Sequence, residues 1–596
     1  MASGTNLVLC ANFFRSLRPT NPSSDHLFLR VRWAKSWIRY KEDLANIDLD
    51  TQTALRIVPH DTLLLDINVN APLHAQDNQF MEQGNEDSNN KIAARRVDDR
   101  VNFKLIRSWL RFCRQHHQSH CHAGLDGIRD IPGFRVIDCA SRKIMPWAEI
   151  PEDHDRSYTA LSYLWGTDTS TATQDGKIPS PSPKVIEDAV TTTIELGFKY
   201  LWVDRYCITQ HESELKAAQM KRMDDVYGSS AVTIIASAGD GPAYGLPEVS
   251  STPRVPQKSV RVGSRTLIAI NNDICKKIRD SKWNTRAWTL QEGLLSTRRL
   301  CFEDNQVYFQ CNLMHRLESI SIPPGTPKTA NPATDINTSY LHGSGNRTSL
   351  FPINGIREGG YVVNAFRRYV TRHINYPSDG LQAFEGILRK AAMMRDPLYN
   401  VCGVFIRVFE KIDMTASLVV GLCWRVNLVV SREMRVIKAW EISYPGPLRH
   451  RLFPSWSWVD LVGKSTKKGI TFRQPWELSG PLLASLSKYK TQPLTQSIAM
   501  EYVDGTTVLW ESRYQDILLS AMTKEAPRTL RIHGYTSDVL LWKLPKVGCP
   551  DTKGPPSSKS VAPPCGNYRT SGSTMDGFGQ TEIAVTVTSY SRGRRG

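Results

Sequence analysis

Between Tyr158 and Ser237 the apolar positions switch repeatedly between two periods. Tyr158-Thr159-Ala160-Leu161-Ser162-Tyr163-Leu164-Trp165 is a short, β-rich apolar run that stops at Gly166. From Val185 to Leu196 the apolar residues recur at helical spacing, and Gly197 supplies a stop. Tyr200-Leu201-Trp202-Val203 predicts a second strand, ending at Asp204. Glu212 to Tyr227 predicts a second helix, with Leu215, Ala218, Met220, Met223 and Val226 near one face. Ala231-Val232-Thr233-Ile234-Ile235-Ala236 predicts a third strand. Strands alternating with helices indicate parallel βαβ units, and strands apolar on both faces suit the centre of a covered sheet. Ligands gather outside the carboxyl ends of such strands. Gly166-Thr167-Asp168, Asp204-Arg205 with Cys207, and Ser237 to Gly241 are therefore expected along one rim.

Elsewhere the pattern is weaker. Ala71 to Asn102 is rich in Asn, Gln, Asp and Glu and reads as a disordered linker closing a poorly defined N-terminal region, 1–102. A lead-in segment, 103–157, precedes the α/β region at 158–310, and a mixed α+β region follows at 311–545. The Pro-, Gly-, Ser- and Thr-rich tail, 546–596, is expected to lack fixed structure. At 596 residues the chain has room for two to four domains, at roughly 100–200 residues each.

Composition narrows the function classes. Apolar residues make up 40% and charged residues 22%, which permits a large buried core. The net charge of +17 is dispersed, the only dense basic run being Arg592-Gly593-Arg594-Arg595. A nucleic-acid or membrane-surface binder is thus an alternative, but a solvated basic surface is the plainer reading. The apolar stretch from Ala416 to Val430 is interrupted by Arg425 and Asn427, too short and polar to span about 30 Å of hydrocarbon. Twelve scattered cysteines suit reduced thiols, and a cytoplasmic location is expected.

At these same positions the chain resembles the fungal heterokaryon-incompatibility (HET) domain family. One block is Tyr158 to Gly166, and the next runs Leu201-Trp202-Val203-Asp204-Arg205-Tyr206-Cys207-Ile208-Thr209-Gln210. A third is Gln219 to Gly228, and the fourth is Trp283-Asn284-Thr285-Arg286-Ala287-Trp288-Thr289-Leu290-Gln291-Glu292. Trp109-Leu110 with Cys113, His120 and Cys121 resembles the usual lead-in, and Tyr369, Arg372, Asp379 and Ala383 to Ile387 resemble the usual C-terminal half. Arg205 with Tyr206, and Ala287, depart from residues common in the family. The resemblance implies fungal non-self recognition leading to cell death, with a protein partner or self-association. It also implies a TIR-like, flavodoxin-like sheet and, by fold analogy alone, an NAD glycohydrolase-like activity with NAD as substrate.

Several residues could carry chemistry. Asp204 at a strand end could orient a ribose hydroxyl or act as a base, or simply cap local backbone. Glu292, four residues after Trp288, would gain a raised pKa against an aromatic wall; an ion pair with Arg286 or Arg298 is the plainer reading. Cys207 with Arg205 or His211 nearby is a candidate nucleophile, although a cysteine after an apolar strand is usually a small buried hydrophobe. Gly166, Asp168, Arg205, Arg286 and Trp288 are the candidate ligand-binding residues. Cys113, His117, His120 and Cys121 are weak candidate metal ligands, since a helix could present residues four apart, but no familiar zinc spacing fits and no metal is expected. No glycine-rich phosphate loop occurs.

Overall fold

The computed structural model describes residues 93–166, 176–210, 213–262, 265–270, 274–321 and most of 350–407, with shorter segments at 27–33, 53–59, 79–83, 414–422, 425–428, 457, 470–473, most of 495–510, 514, 527, 529–536 and 579–585. Two compact units divide the chain, one of residues 1–395 with 461–468 and the other of 396–460 with 469–596.

At the heart of the first unit lies an eight-stranded sheet. Its four central strands are parallel: Tyr158–Ser162, Tyr200–Trp202, Val232–Ala236 and Arg298–Phe302. Numbered in chain order, they lie side by side as 2-1-3-4. Antiparallel neighbours complete both sides, Arg135–Asp138 with Ile144–Pro146 on one and Val307–Cys311 with His315–Leu317 on the other. The three predicted strands are thus parallel neighbours, and their carboxyl ends share one edge.

Side-chain bonds from the first strand show that the sheet is covered on both faces. Successive residues of a strand point to opposite faces. Tyr158 and Ser162 reach helices Met223–Ser229 and Trp288–Leu295 through Val226 O and Glu292 Oε2, each at 2.5 Å. Thr159 between them meets Thr193 of helix Lys184–Glu195 at 2.6 Å. Every residue of this strand is buried, as are those of Arg298–Phe302 and Val307–Cys311, which explains why their sequences are apolar without strict alternation. Aromatic rings fill the gaps: Phe134, Trp147 and Tyr158 meet pairwise with centroids 5.5–5.9 Å apart.

The first predicted helix forms as Lys184–Glu195, and Gly197 adopts φ +86°, as a left-handed stop requires. The second breaks into Ser213–Met220 and Met223–Ser229. The break coincides with tertiary bonds: Gln219 Nε2 donates to the carbonyls of Pro132 and Gly133, and Arg222 Nη2 to that of Gly127. A very short helix, Asp204–Cys207, follows the second strand directly.

The expected disordered linker is corrected by the described parts of 71–102. Gln79–Glu82 pairs with Arg265–Ile270, and Ala93–Ala94 pairs with Ile320–Ser321. Backbone pairing supplies there what side-chain hydrophobicity does not; Arg95 N donates to Ser319 O, and Asn102 Oδ1 caps the helix Phe103–His116 through Leu105 N. The remainder of that stretch lies outside the described residues.

In the second unit, the hairpin Leu398–Val401/Val404–Arg407, helix Met414–Leu422 and an antiparallel sheet surround a core of Val401, Ile406, Leu418, Met500 and Trp510. That sheet includes Gly579–Val585, paired with Thr529–Thr536, so the tail expected to be structureless contributes a strand. Its Ile583 and Val585 give that run the β-branched character a strand favours. Among the described residues no helix is long and apolar enough to cross a membrane.

Candidate functional site at the carboxyl edge of the sheet

The first strand delivers Trp165 beyond its carboxyl end. Gly166 then turns the chain at φ +65°; a Cβ there would lie 2.7 Å from Pro242 Cδ, so only glycine fits without displacement. The second strand delivers Asp204, whose Oδ1 accepts from Arg205 N at 2.8 Å and whose Oδ2 accepts from Trp165 Nε1 at 2.7 Å. The guanidinium carbons of Arg205 and Arg286 each lie 5.6 Å from the Trp165 ring centroid, within cation–π range. Trp165 and Arg286 are half-buried, whereas Asp204 is buried.

Glu292 lies in the helix Trp288–Leu295 and is buried, 2% exposed. Its Oε2 accepts from Ser162 Oγ, which in turn accepts from Trp283 Nε1 at 2.7 Å. Burial pushes the Glu292 carboxyl up to about 7; Arg286 opposes the shift and the Asp204 charge adds to it. Burial also raises Asp204, again against the pull of Arg286. Arg286 therefore acts on both carboxyl groups, with Arg205 adding to its pull on Asp204 and Arg372 interacting with Glu292, and burial still outweighs these cations.

The loop carrying Trp283 and Arg286 is clamped by the segment after helix Gly359–Tyr369. The buried Arg372 donates through Nη1 to Arg286 O and Thr289 Oγ1, each at 3.0 Å, and through Nη2 to Asn284 Oδ1. His373 N donates to Thr285 O and Ala287 N to His373 O. Helix Gln382–Ala392 adds an ion pair, Arg389 with Asp224.

Asp204, Arg205, Arg286 and Glu292 thus gather with Trp165 at one edge, next to Gly166. Asp168 lies outside the described residues. Trp288 shares a helix with Glu292, as their spacing predicts, but its Nε1 donates to Asp379 Oδ2 at 3.3 Å; the indole joined to Glu292 through Ser162 is that of Trp283. Arg298 does not pair with Glu292. It donates instead to Cys113 Sγ and to the carbonyls of Ala231 and Cys121. Cys207 is 2% exposed, its Sγ accepts from Val203 N at 3.4 Å, and burial pushes its thiol up to about 12, the state of a packed hydrophobe and not of a thiolate nucleophile. Ser237 is tied down, donating to Phe302 O at 2.8 Å. Of the four weak metal candidates, Cys113, His117 and Cys121 converge, joined by Cys311, while the His120 ring bonds Ser119. Sequence reasoning missed Ser162, Trp283, Tyr227 and Cys311; the indole and hydroxyl inside motif blocks were the available signal for the first two.

Beside this cluster, between the ends of the first and third strands, opens a shallow cleft of about 10 Å³ lined by Tyr163, Leu164, Val185, Gly239 and Pro242. It is smaller than the roughly 300–1,000 Å³ usual for small-molecule pockets.

A family model described as heterokaryon incompatibility protein (HET) matches residues 158–292, from the first residue of the first strand to the buried carboxyl itself. A curated relative from Neurospora crassa, heterokaryon incompatibility protein 6, OR allele, is 30% identical over 131 residues. That alignment covers 20% of this chain and 18% of the relative, so the likeness concerns one domain. No solved structure matches the chain. The matched span holds Trp165, Asp204, Arg286 and Glu292 together, and it is over this span that the chain matches the HET domain.

Proposed function

We propose that the chain acts in fungal heterokaryon incompatibility, its HET domain turning a non-self encounter into a cell-death signal in the cytoplasm. One observation carries the reading: four separated blocks of the domain converge on a single bonded cluster. Trp165 comes from the first, Asp204 and Arg205 from the second, Tyr227 from the third, and Trp283, Arg286 and Glu292 from the fourth. The rest of the chain would sense the trigger, through a protein partner or a second copy. The name of the Neurospora crassa relative supports the same role. Controlled expression in fungal cells tests it. Expression is expected to stop growth, and Asp204→Ala or Glu292→Gln to relieve the arrest. Growth arrest that persists in both variants removes the cluster from the mechanism.

A second reading, a TIR-like NAD-consuming hydrolase, is favoured by the Glu292 carboxyl and the strand order. The carboxyl is poised near neutrality at the edge where doubly wound sheets bind ligands, and the 2-1-3-4 strand order is that of flavodoxin-like sheets. A neutral carboxyl can protonate a leaving group, and its anion can stabilise an oxocarbenium-like centre. The small cleft weighs against it. Incubation of the purified chain with NAD decides: release of nicotinamide that Glu292→Gln abolishes favours the enzyme, and no release leaves a scaffold.

A further inference from the structure

At the opposite edge of the sheet, three cysteines and a histidine from distant parts of the chain meet in the core. Cys113 lies in the helix Phe103–His116, His117 caps it, and Cys121 ends the next turn, Gln118–Cys121. Two backbone bonds hold this spacing: His117 N donates to Cys113 O at 2.9 Å and Cys121 N to His117 O at 2.8 Å. Cys311 ends the strand Val307–Cys311, directly opposite Arg298 in the register. Packing of Trp109 on Phe309, centroids 6.0 Å apart, brings helix and strand together. All four side chains are buried: Cys113, Cys121 and Cys311 at 0% and His117 at 4% exposure. Their donor atoms all lie within 4.8 Å of one another. A tetrahedral zinc with Zn–S bonds of about 2.3 Å needs sulfur separations of about 3.8 Å, so a small contraction closes the site.

We propose that Cys113, His117, Cys121 and Cys311 bind one structural zinc ion. The donor set is three thiolates and one imidazole, a common closed zinc set with no position left for water or substrate. On binding, each cysteine gives up its proton to solvent and contributes a lone pair, and the neutral imidazole contributes the fourth. The resulting centre carries a net charge of −1.

The surroundings call for that charge. Arg298 and Arg299 are buried at 5% and 0% exposure, and among the described residues neither is paired with a carboxylate. Arg298 Nε donates to Cys113 Sγ at 3.2 Å. A buried cation without a counter-charge is costly, and an anionic metal centre beside it supplies one. Leu313 N donates to Cys311 Sγ at 3.4 Å, an N–H to sulfur bond that orients the lone pairs. Two segments far apart in the chain are joined by this centre, the lead-in and the hairpin ending in His315–Leu317. Iron–sulfur clusters are usually held by four thiolates, so three thiolates and one imidazole closing on a single point favour zinc.

Metal analysis of the full-length chain, purified without chelator, tests the proposal. About one zinc per chain is expected. Replacement by cobalt(II) is expected to give thiolate-to-metal charge transfer and intense tetrahedral d–d bands. Cys311→Ser should lose most of the metal, while Cys402→Ser, in the second unit, should keep it. The cobalt spectrum of the unmodified protein stands even where Cys311→Ser fails to fold. Zinc far below one equivalent together with no tetrahedral cobalt spectrum overturns the proposal, as does full zinc retention in both Cys311→Ser and Cys113→Ser.

Discussion

Ser162 Oγ lies 2.5 Å from Glu292 Oε2, joining the end of the first parallel strand to a helix 130 residues later. The bond lies wholly in the core, so the protonation state of Glu292 matters to the fold as well as to any chemistry. With its carboxyl raised from 4.5 to about 7, the folded chain holds a proton there that the unfolded chain has released. Stability then falls as pH rises between those two values. Glu292→Gln removes that slope. Relative to the unmodified protein, the variant should gain about 3 kcal/mol on moving from pH 4.5 to pH 8. Glu303 and Glu385, also raised to about 7 by burial, titrate in the same window, so the difference between the two proteins is the informative quantity. Equal slopes in urea unfolding at the two pH values would show that Glu292 is ionised throughout.

Gly386 lies where helix Gln382–Ala392 packs against Asp224 and helix Trp288–Leu295. A Cβ there would lie 2.7 Å from Asp224 Cβ and 3.0 Å from Leu295 Cδ1. Two terms oppose each other in Gly386→Ala. Helix propensity favours alanine by about 1 kcal/mol, whereas overpacking costs about 1–3 kcal/mol. Because the contact falls on a neighbour's Cβ, which cannot rotate away, the clash should win. A lower melting temperature is expected, and a higher one would mean that the helices sit further apart.

Cys207 provides a separate check on the chemistry. Its thiol is buried and pushed up to about 12, so native protein should resist alkylation at this position at pH 8. Cys207→Ala should leave growth arrest intact and cost about 1 kcal/mol of stability. Loss of the arrest with unchanged stability would return this thiol to the list of working groups.

Three of the four parallel strands were legible as short apolar runs, the first two stopping at Gly166 and Asp204, and the first helix because its period is unbroken between Val185 and Leu196. The fourth strand, Arg298–Phe302, opens on two arginines and leaves no such run. Asp204, Arg286 and Glu292 were legible as charged residues inside apolar motifs, where a charge needs a reason. What local pattern could not supply was pairing across distance. Ser162 meets Trp283 over 121 residues and His117 meets Cys311 over 194, separations that leave no periodic trace. The second helix was over-extended for a related reason: Gln219 and Arg222 bond to carbonyls of the lead-in, and those contacts override a helical period that by itself continues.

Arg372 tests whether the C-terminal part of the first unit sets the geometry of the site. It touches neither carboxyl group through a hydrogen bond, yet its fork holds Arg286 O, Thr289 Oγ1 and Asn284 Oδ1 at once. Lysine keeps the charge but offers a single ammonium, which cannot satisfy three acceptors spread over that loop. Each buried acceptor left unpaired costs about 1–3 kcal/mol, so Arg372→Lys should destabilise the chain by about 2–4 kcal/mol. More tellingly, loosening the loop frees Arg286, the one cation acting on both Asp204 and Glu292. Both carboxyl groups should then titrate higher, and growth arrest should weaken at a temperature where the variant is still folded by circular dichroism. A folded Arg372→Lys chain with undiminished arrest would mean that Arg286 is held by Trp165 and Tyr163 O alone, and that the helices after residue 359 serve only to cover the core.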